Sequence, residues 1–295
     1  MRRKMLYIII GIIFILILII RIYIDSEMLE VTKLNIVSSK IPIEFEEYKI
    51  IQLSDLHNKS FGKNNERLIE AIDKEAPDIV VMTGDMVSVN DKDFTSFYNL
   101  VRELSKKYKL YYIYGNHEGE LSSKNRNKID TFLRENNVTI LNNDCVKLTS
   151  GDDEINMYGL CYTQKYYSHK NGEKHEITKD YIENKLGSLD KKKFNILLSH
   201  NPMFFDAYEK YGADLILTGH IHGGLIRLPM IGGLFSPDRT FFPKYSAGMY
   251  ESGKSKLVVN RGLSRGVRGF RLFNRPEIIS ITLKIDNDAD NKYVD

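Results

Sequence analysis

Five short apolar runs in this chain each end in aspartate, asparagine or histidine, and that repetition constrains the fold more than any bulk property. "IIQLS" leads to Asp55 and His57, "IVVMTG" to Asp85, and "YYIYG" to Asn116 and His117. "NILLS" leads to His200, and "LILTG" to His220 and His222, so five of the seven histidines fall in this set. Runs this short and this rich in Ile, Val and Leu read as buried strands. Amphipathic stretches of helical length lie among them: "NNERLIEAIDKEA", "KDFTSFYNLVRELSKKY", "KNRNKIDTFLREN" and "TKDYIENKLGSL". Strand and helix signals alternate as in βαβ units, which predicts an α/β fold. With 295 residues, 42% hydrophobic and 27% charged, the chain can bury a large core. No repeat or linker divides residues 27–295, so a single domain containing two sheets is expected there.

The polar residues after the runs carry the chemistry. In an open α/β sheet, loops at the carboxyl ends of strands converge on one edge, where side chains distant in sequence can meet. Carboxylate, imidazole and amide oxygen together form a hard-to-borderline donor set for divalent metals, and the absence of cysteine argues against a structural zinc cluster. Singly, each piece has an ordinary explanation. An Asp after a strand caps a turn or helix, "GNHE" is a turn and cap, and His220-Ile221-His222 is a polar loop tip. Five coincidences at the same kind of position favour a metal site.

These residues resemble the calcineurin-like metallophosphoesterases. The likeness lies in Asp55-Leu56-His57, Gly84-Asp85, Gly115-Asn116-His117-Glu118, the single His200, and Gly219-His220-Ile221-His222. "HGGLIRLP", "FFPKYSAGMY" and "FRLFNRPEI" extend it toward a membrane-anchored bacterial branch of phosphodiesterases. One departure is Leu225, where that branch often carries Gln; it bears on substrate contacts and leaves the donor set intact. The resemblance implies two mixed β-sheets packed face to face with helices outside, a four-layer αββα sandwich. It assigns one divalent metal to Asp55, His57, Asp85 and His222, and a second to Asp85, Asn116, His200 and His220. A shared carboxylate suits two cations about 3.5–4 Å apart, with a bridging hydroxide as nucleophile. His117, left without a metal, would assist the leaving oxygen. N/O donor sets of this kind accept Mn, Fe or Zn.

The N-terminus predicts an anchor. Arg2, Arg3 and Lys4 precede an unbroken apolar run from Met5 to Ile20, followed by Arg21. At about 1.5 Å per residue, some twenty residues cross the ~30 Å hydrocarbon core. A secretory signal is the competing reading, but "RIYIDSEMLE" lacks the paired small residues of a cleavage site. Residues 1–26 are therefore expected to form a cytoplasmic tip and transmembrane anchor, with residues 27–295 as the catalytic domain beyond the membrane. Arg21 and Lys33 on the far flank weigh against that orientation. Cys145 and Cys161 are outside any CxxC spacing; they could pair if the domain faces an oxidising compartment, but buried free thiols are the favoured expectation.

A formal charge of +3 gives no reason to expect nucleic acid as a partner. Within "RGLSRGVRGFRLFNR", Arg261, Arg265, Arg268, Arg271 and Arg275 suit either phosphate recognition or anionic lipid, or else form structural pairs. Two irregular segments, "YTQKYYSHKNGEKHE" and "LPMIGGLFSPDRTFFPKYSAG", are expected to be lids or substrate-facing loops. The expected function is a membrane-anchored, dinuclear-metal phosphohydrolase, chiefly a phosphodiesterase, acting on a lipid-linked or envelope phosphoester. The alternatives are a non-catalytic scaffold on the same fold, which would have lost ligands, and a nucleic-acid or membrane binder, which leaves the strand-end set unexplained.

Overall fold

Alternate side chains along each strand decide the layering. The structure, a computed structural model, describes residues 2–167, 175–224, 226–228, 230–237, 240–264 and 269–286; His169, Leu225, Arg265 and Arg268 lie outside them. In chain order the first half contains α1 (Arg2–Glu27), β1 (Glu30–Ser38), β2 (Lys49–Leu53), α2 (Glu66–Glu75) and β3 (Ile79–Met82). It continues with α3 (Thr95–Leu104), β4 (Lys109–Tyr112), α4 (Asn116–Glu120), α5 (Ser123–Glu135) and β5 (Thr139–Ile140). The second half opens with β6 (Asp144–Ser150), β7 (Asp153–Leu160), α6 (Lys179–Leu186), β8 (Asn195–Ser199), α7 (Phe205–Tyr211) and β9 (Leu215–Thr218). A small hairpin, β10 (Arg227–Leu228) and β11 (Gly232–Gly233), precedes β12 (Gly248–Ser252), β13 (Ser255–Val259) and β14 (Glu277–Ile285).

Two six-stranded mixed sheets result, ordered β1-β14-β2-β3-β4-β5 and β12-β13-β9-β8-β7-β6. In the first, β2 to β5 run parallel and β14 enters antiparallel to β2. In the second, β7, β8, β9 and β13 are parallel, with β6 and β12 antiparallel at the edges. Ile50, Ile79 and Val81 point from the first sheet onto Ile196, Leu198, Leu215 and Leu217 of the second, forming the central core. Their neighbours Ile51, Val80 and Met82 face the other way, onto Leu68 and Ile72 of α2 and onto Phe97, Leu100 and Leu104 of α3. On the far side, Leu197, Ile216 and Leu257 pack against Ile182 of α6 and Phe205 and Tyr208 of α7. This period-two alternation, buried on both faces, gives the expected αββα sandwich.

Two helices depart from the sequence reading. α7 follows an Asn201–Pro202 start in which the Asn201 side chain accepts the Met203 N–H, but its aromatic content obscured the helical period. α4 begins inside "GNHE", which had read as a turn. β5 is only two residues long, and Asn143 turns the chain after it at φ 55°.

α1 is one continuous helix with an apolar span exposed along its length and a mean hydropathy of 3.0. Its last turn is different. Asp25 and Ser26 are buried against the domain, Asp25 accepting the Phe273 N–H at 2.6 Å and Ser26 Oγ the Arg271 N–H at 3.1 Å.

Candidate metal centre

The parallel strands β2, β3, β4, β8 and β9 all deliver their carboxyl ends to one edge of the sandwich, and the Asp, Asn and His residues that follow them lie there. The loops are laced together by their backbones: Asp55 N–H donates to the Gly84 carbonyl and His57 N–H to the Asp85 carbonyl, both at 3.0 Å. The Asp55 carboxylate accepts the His220 N–H across the two sheets at 3.1 Å. Buried Gln52 spans the same junction, donating to Thr83 Oγ1 at 3.0 Å and to the Thr218 carbonyl at 2.9 Å.

The turns are tight. Asp55, His57, Asp85, His220 and His222 all take left-handed backbone, with φ between 46° and 70°. Each such non-glycine residue costs about 1–3 kcal/mol, a cost the surrounding core must overcome and one characteristic of functional sites. Gly115 shows how closely the loops approach, since a Cβ there would land on the Asp85 carboxylate.

Three sets of donor atoms converge: Asp55, His57 and His222; His57, Asp85 and His117; and Asp85, His200 and His220, each set within 4.8 Å. Asp85 joins the second and third sets, its Oδ2 lying 3.2 Å from His200 Nε2, 3.8 Å from His57 Nε2 and 4.0 Å from His117 Nε2. Asp55 Oδ1 lies 3.2 Å from His222 Nε2 and 3.8 Å from His200 Nε2. The His57 and His222 Nε2 atoms face each other at 3.3 Å. Asn116 contributes a buried Oδ1 that has no hydrogen-bond partner among the described residues.

Second partners orient these rings. His200 Nδ1 donates to the Thr83 carbonyl at 2.7 Å, which leaves Nε2 to present a lone pair toward Asp85 when the ring is neutral. His57 Nδ1 lies 2.9 Å from Ser88 Oγ, and His222 Nδ1 lies 3.5 Å from Ser264 Oγ. A buried acceptor without a donor, at the point where carboxylates and imidazoles converge, is a costly arrangement unless cations occupy the middle. The residues therefore fit a pair of divalent metals.

The electrostatics agree with that environment. Burial pushes the Asp55 and Asp85 carboxyls up, but His222 beside Asp55 and His200 beside Asp85 outweigh it and hold both below the usual carboxylate range. Burial pushes the His57 imidazole down to about 3, against the pull of Asp85. His200 goes the other way: Asp85 and Asp55 overcome its burial and raise it to about 10.

His117 differs from the other histidines. Its Nδ1 accepts the Val89 N–H at 3.3 Å, and its side chain keeps a quarter of its surface exposed. In the neutral ring the proton must then sit on Nε2, facing the cleft.

Glu118, noticed only as part of a motif, proves to be a buried clasp. Its carboxylate accepts the N–H groups of Asp85 at 2.9 Å, Met86 at 2.8 Å and Gly115 at 2.9 Å, with the Tyr112 hydroxyl at 2.9 Å. It thus fixes the β3 and β4 loops to one another. Asn274, also missed, donates to the His222 carbonyl at 2.7 Å.

The arginine-rich segment is largely structural where it is described. Arg261 pairs with Glu277 at 2.8 Å and Glu30 at 3.1 Å. Arg271 is fully buried and donates to the carbonyls of Ser264, Arg261 and Gly262. Arg275 lies 3.7 Å from Asp25.

The polar aromatic loop reaches the centre through Tyr167, whose ring centroid is 5.2 Å from that of His220 and 5.9 Å from that of His200. Beyond it opens a cleft of about 440 Å³ lined by Lys165, Tyr166, Asn201, Phe204 and Lys210 among others. Both cysteines are free as expected, but Cys145 is exposed rather than buried.

Known proteins share this arrangement. The profile of the calcineurin-like phosphoesterases matches residues 48–224, the segment that carries the whole strand-end set. The metallophosphoesterase YkuE of Bacillus subtilis is 30% identical over 278 residues, covering 90% of this chain and 89% of its own. A metallophosphoesterase of Aquifex aeolicus is 28% identical, covering 89% of this chain and 94% of its own. Phosphodiesterase YaeI of Escherichia coli is 24% identical, covering 80% and 82% respectively. With the fold, the converging aspartates and histidines and these matches in agreement, the chain belongs to the calcineurin-like phosphoesterases, metal-dependent hydrolases of phosphoric esters.

Proposed function

We propose that this protein is a membrane-anchored phosphodiesterase with a dinuclear centre. The observation that carries the reading is Asp85 Oδ2, set among His57, His117 and His200 at 3.2–4.0 Å. Asp55, His57, Asp85 and His222 would hold one divalent cation, and Asp85, Asn116, His200 and His220 the other. Bound there, the pair supplies Lewis acidity that activates water and polarises phosphoryl oxygens. Manganese, iron and zinc all suit the donors.

The chain's own groups supply the rest. His117 offers its Nε2–H as a hydrogen bond that stabilises charge developing on the leaving oxygen, a contribution of about 10²–10³ in rate. Glu118 holds the loops that aim Asp85 and Asn116. Tyr167 and the adjoining cleft receive one arm of a diester. A scaffold reading finds no support in a donor set that retains every member.

In this reading residues 1–26 form the anchor and residues 27–295 the catalytic domain, placed outside the cytoplasm by the Arg2–Lys4 cluster. Retention is favoured over cleavage because Asp25 and Ser26 are built into the domain through Phe273 and Arg271. A domain held at a bilayer suits a lipid-linked or envelope phosphoester. The test is turnover of aryl phosphate diesters and monoesters by the detergent-purified full chain, with metal and with chelator. Metal-dependent turnover favouring the diester is expected; metal bound without hydrolysis of either ester would return the protein to the scaffold class.

A further inference from the structure

Of the nine large apolar side chains exposed outside α1 among the described residues, five belong to one ribbon and the loop beside it. Met230 is fully exposed, Ile231 is 64%, Phe241 67%, Phe242 57% and Phe273 45% exposed. Apolar exposure on this scale, gathered in one surface, marks an interaction face.

These residues share a small ribbon of extended chain. Arg227 N–H donates to the Leu272 carbonyl at 3.0 Å, Leu234 N–H to Ile226 at 2.8 Å, and Phe242 N–H to Leu234 at 3.0 Å. Ile226 bridges Leu272 and Phe235 bridges Phe241. At roughly 4.8 Å per step, Phe242 lies some 14 Å from the chain at Leu272.

The backbone adds an independent observation. Met230, Phe242 and Phe273 hold left-handed backbone at φ 65°, 49° and 53°. Glycine or asparagine would take those positions without strain, so a bulky apolar residue at each is a costly choice that folding does not require.

One end of the ribbon is built into the end of the span. Phe273 N–H donates to Asp25, and the Arg21 guanidinium stacks over the Phe273 ring at 4.8 Å. Arg21 closes the apolar run, so in this reading Phe273 sits at headgroup level, and the ribbon continues from it. Arg21 and Arg275 share the single Asp25 carboxylate, leaving net positive charge at a height that suits anionic lipid. The ribbon is also joined to the metal centre: Asn274 holds the His222 carbonyl, and Arg227 donates to Gly223 at 3.1 Å.

We propose that the described residues 226–228, 230–237 and 240–242 together with Phe273 form a bilayer-docking surface. Met230, Ile231, Phe241, Phe242 and Phe273 enter the interfacial layer of the leaflet from which α1 emerges. The His222 side of the cleft then faces the headgroups, and phosphoesters carried by lipids reach it laterally. This rests on the reading of α1 as a retained span.

The chain contains no tryptophan, so single introduced tryptophans report without background. The full chain carrying Phe14→Trp, Met230→Trp, Phe242→Trp or Met249→Trp is reconstituted into vesicles of zwitterionic and anionic phospholipid, with and without bromine high on the acyl chains. Met230 is a fully exposed tip, so its substitution leaves the core untouched. Emission is expected to fall about twofold or more at 14, 230 and 242 and to hold steady at 249, an exposed position on β12. Quenching at 14 with none at 230 or 242 overturns the docking surface and leaves the anchor standing. Equal quenching at 249 also overturns it, as unselective adsorption. Absence of quenching at 14 overturns the anchor, and the docking surface with it.

Discussion

His117 Nδ1 accepts the Val89 N–H at 3.3 Å, and this one bond decides which nitrogen of the ring presents a hydrogen to the cleft. With Nδ1 committed to the backbone, the neutral ring carries its proton on Nε2, turned toward Asp85 Oδ2 at 4.0 Å and the open cleft. His117→Ala is therefore expected to keep its full metal content while kcat for an aryl phosphodiester falls about 10²–10³-fold. An unchanged kcat would remove His117 from the reaction.

Glu118 places a carboxylate where five groups donate to it, and a neutral amide cannot satisfy them all. In Glu118→Gln, the amide NH₂ meets backbone N–H groups as donor against donor. The expected cost is about 2 kcal/mol, seen as a melting temperature lower by about 5 °C for a chain of this size. A melting temperature equal to wild type would mean the clasp contributes nothing to holding the loops.

Gly115 stands in the space a side chain would need beside Asp85. Gly115→Ala pushes a methyl group onto that carboxylate and onto the Asp85 backbone. If Asp85 is shared by both ions, metal content measured by elemental analysis should fall by roughly half or more, with hydrolysis falling in parallel. Full occupancy in this variant would argue against the shared carboxylate.

The two thiols should differ sharply in reactivity. Cys145 is exposed, while burial pushes the Cys161 thiol up to about 12. The raised value keeps Cys161 protonated below that pH, and the thiol form is a poor nucleophile. A disulfide reagent at pH 8 should label one cysteine in the folded chain and both after unfolding. Two fast-reacting thiols in the native protein would contradict the burial of Cys161.

Much of this site could be read from sequence because parallel strands collect their carboxyl ends at one edge. A residue type repeated after successive apolar runs therefore becomes a cluster in space. That logic located Asp55, His57, Asp85, Asn116, His117, His200, His220 and His222 without a contact map. It could not locate Glu118 as a clasp, because its partners are backbone N–H groups on another loop and leave no sequence pattern. Nor could charge alone sort the arginines: Arg261 is satisfied by Glu277 and Glu30, and Arg271 by carbonyls, both through tertiary pairing. α7 was missed for a related reason, since Phe204, Phe205, Tyr208 and Tyr211 suit a strand as well as a helix buried against β8 and β9. The Asn201–Pro202 start was the signal that distinguished them.

The central claim is that two metals share Asp85. Its most direct test is elemental analysis of the purified full chain, paired with phosphodiester turnover before and after chelation, in wild type and in Asp85→Asn. The account predicts two divalent ions per wild-type chain, turnover that disappears on chelation and returns with added metal, and loss of both ions together with turnover in Asp85→Asn. A wild-type chain stripped of metal that hydrolyses the ester undiminished, or an Asp85→Asn chain that keeps both ions, would contradict it.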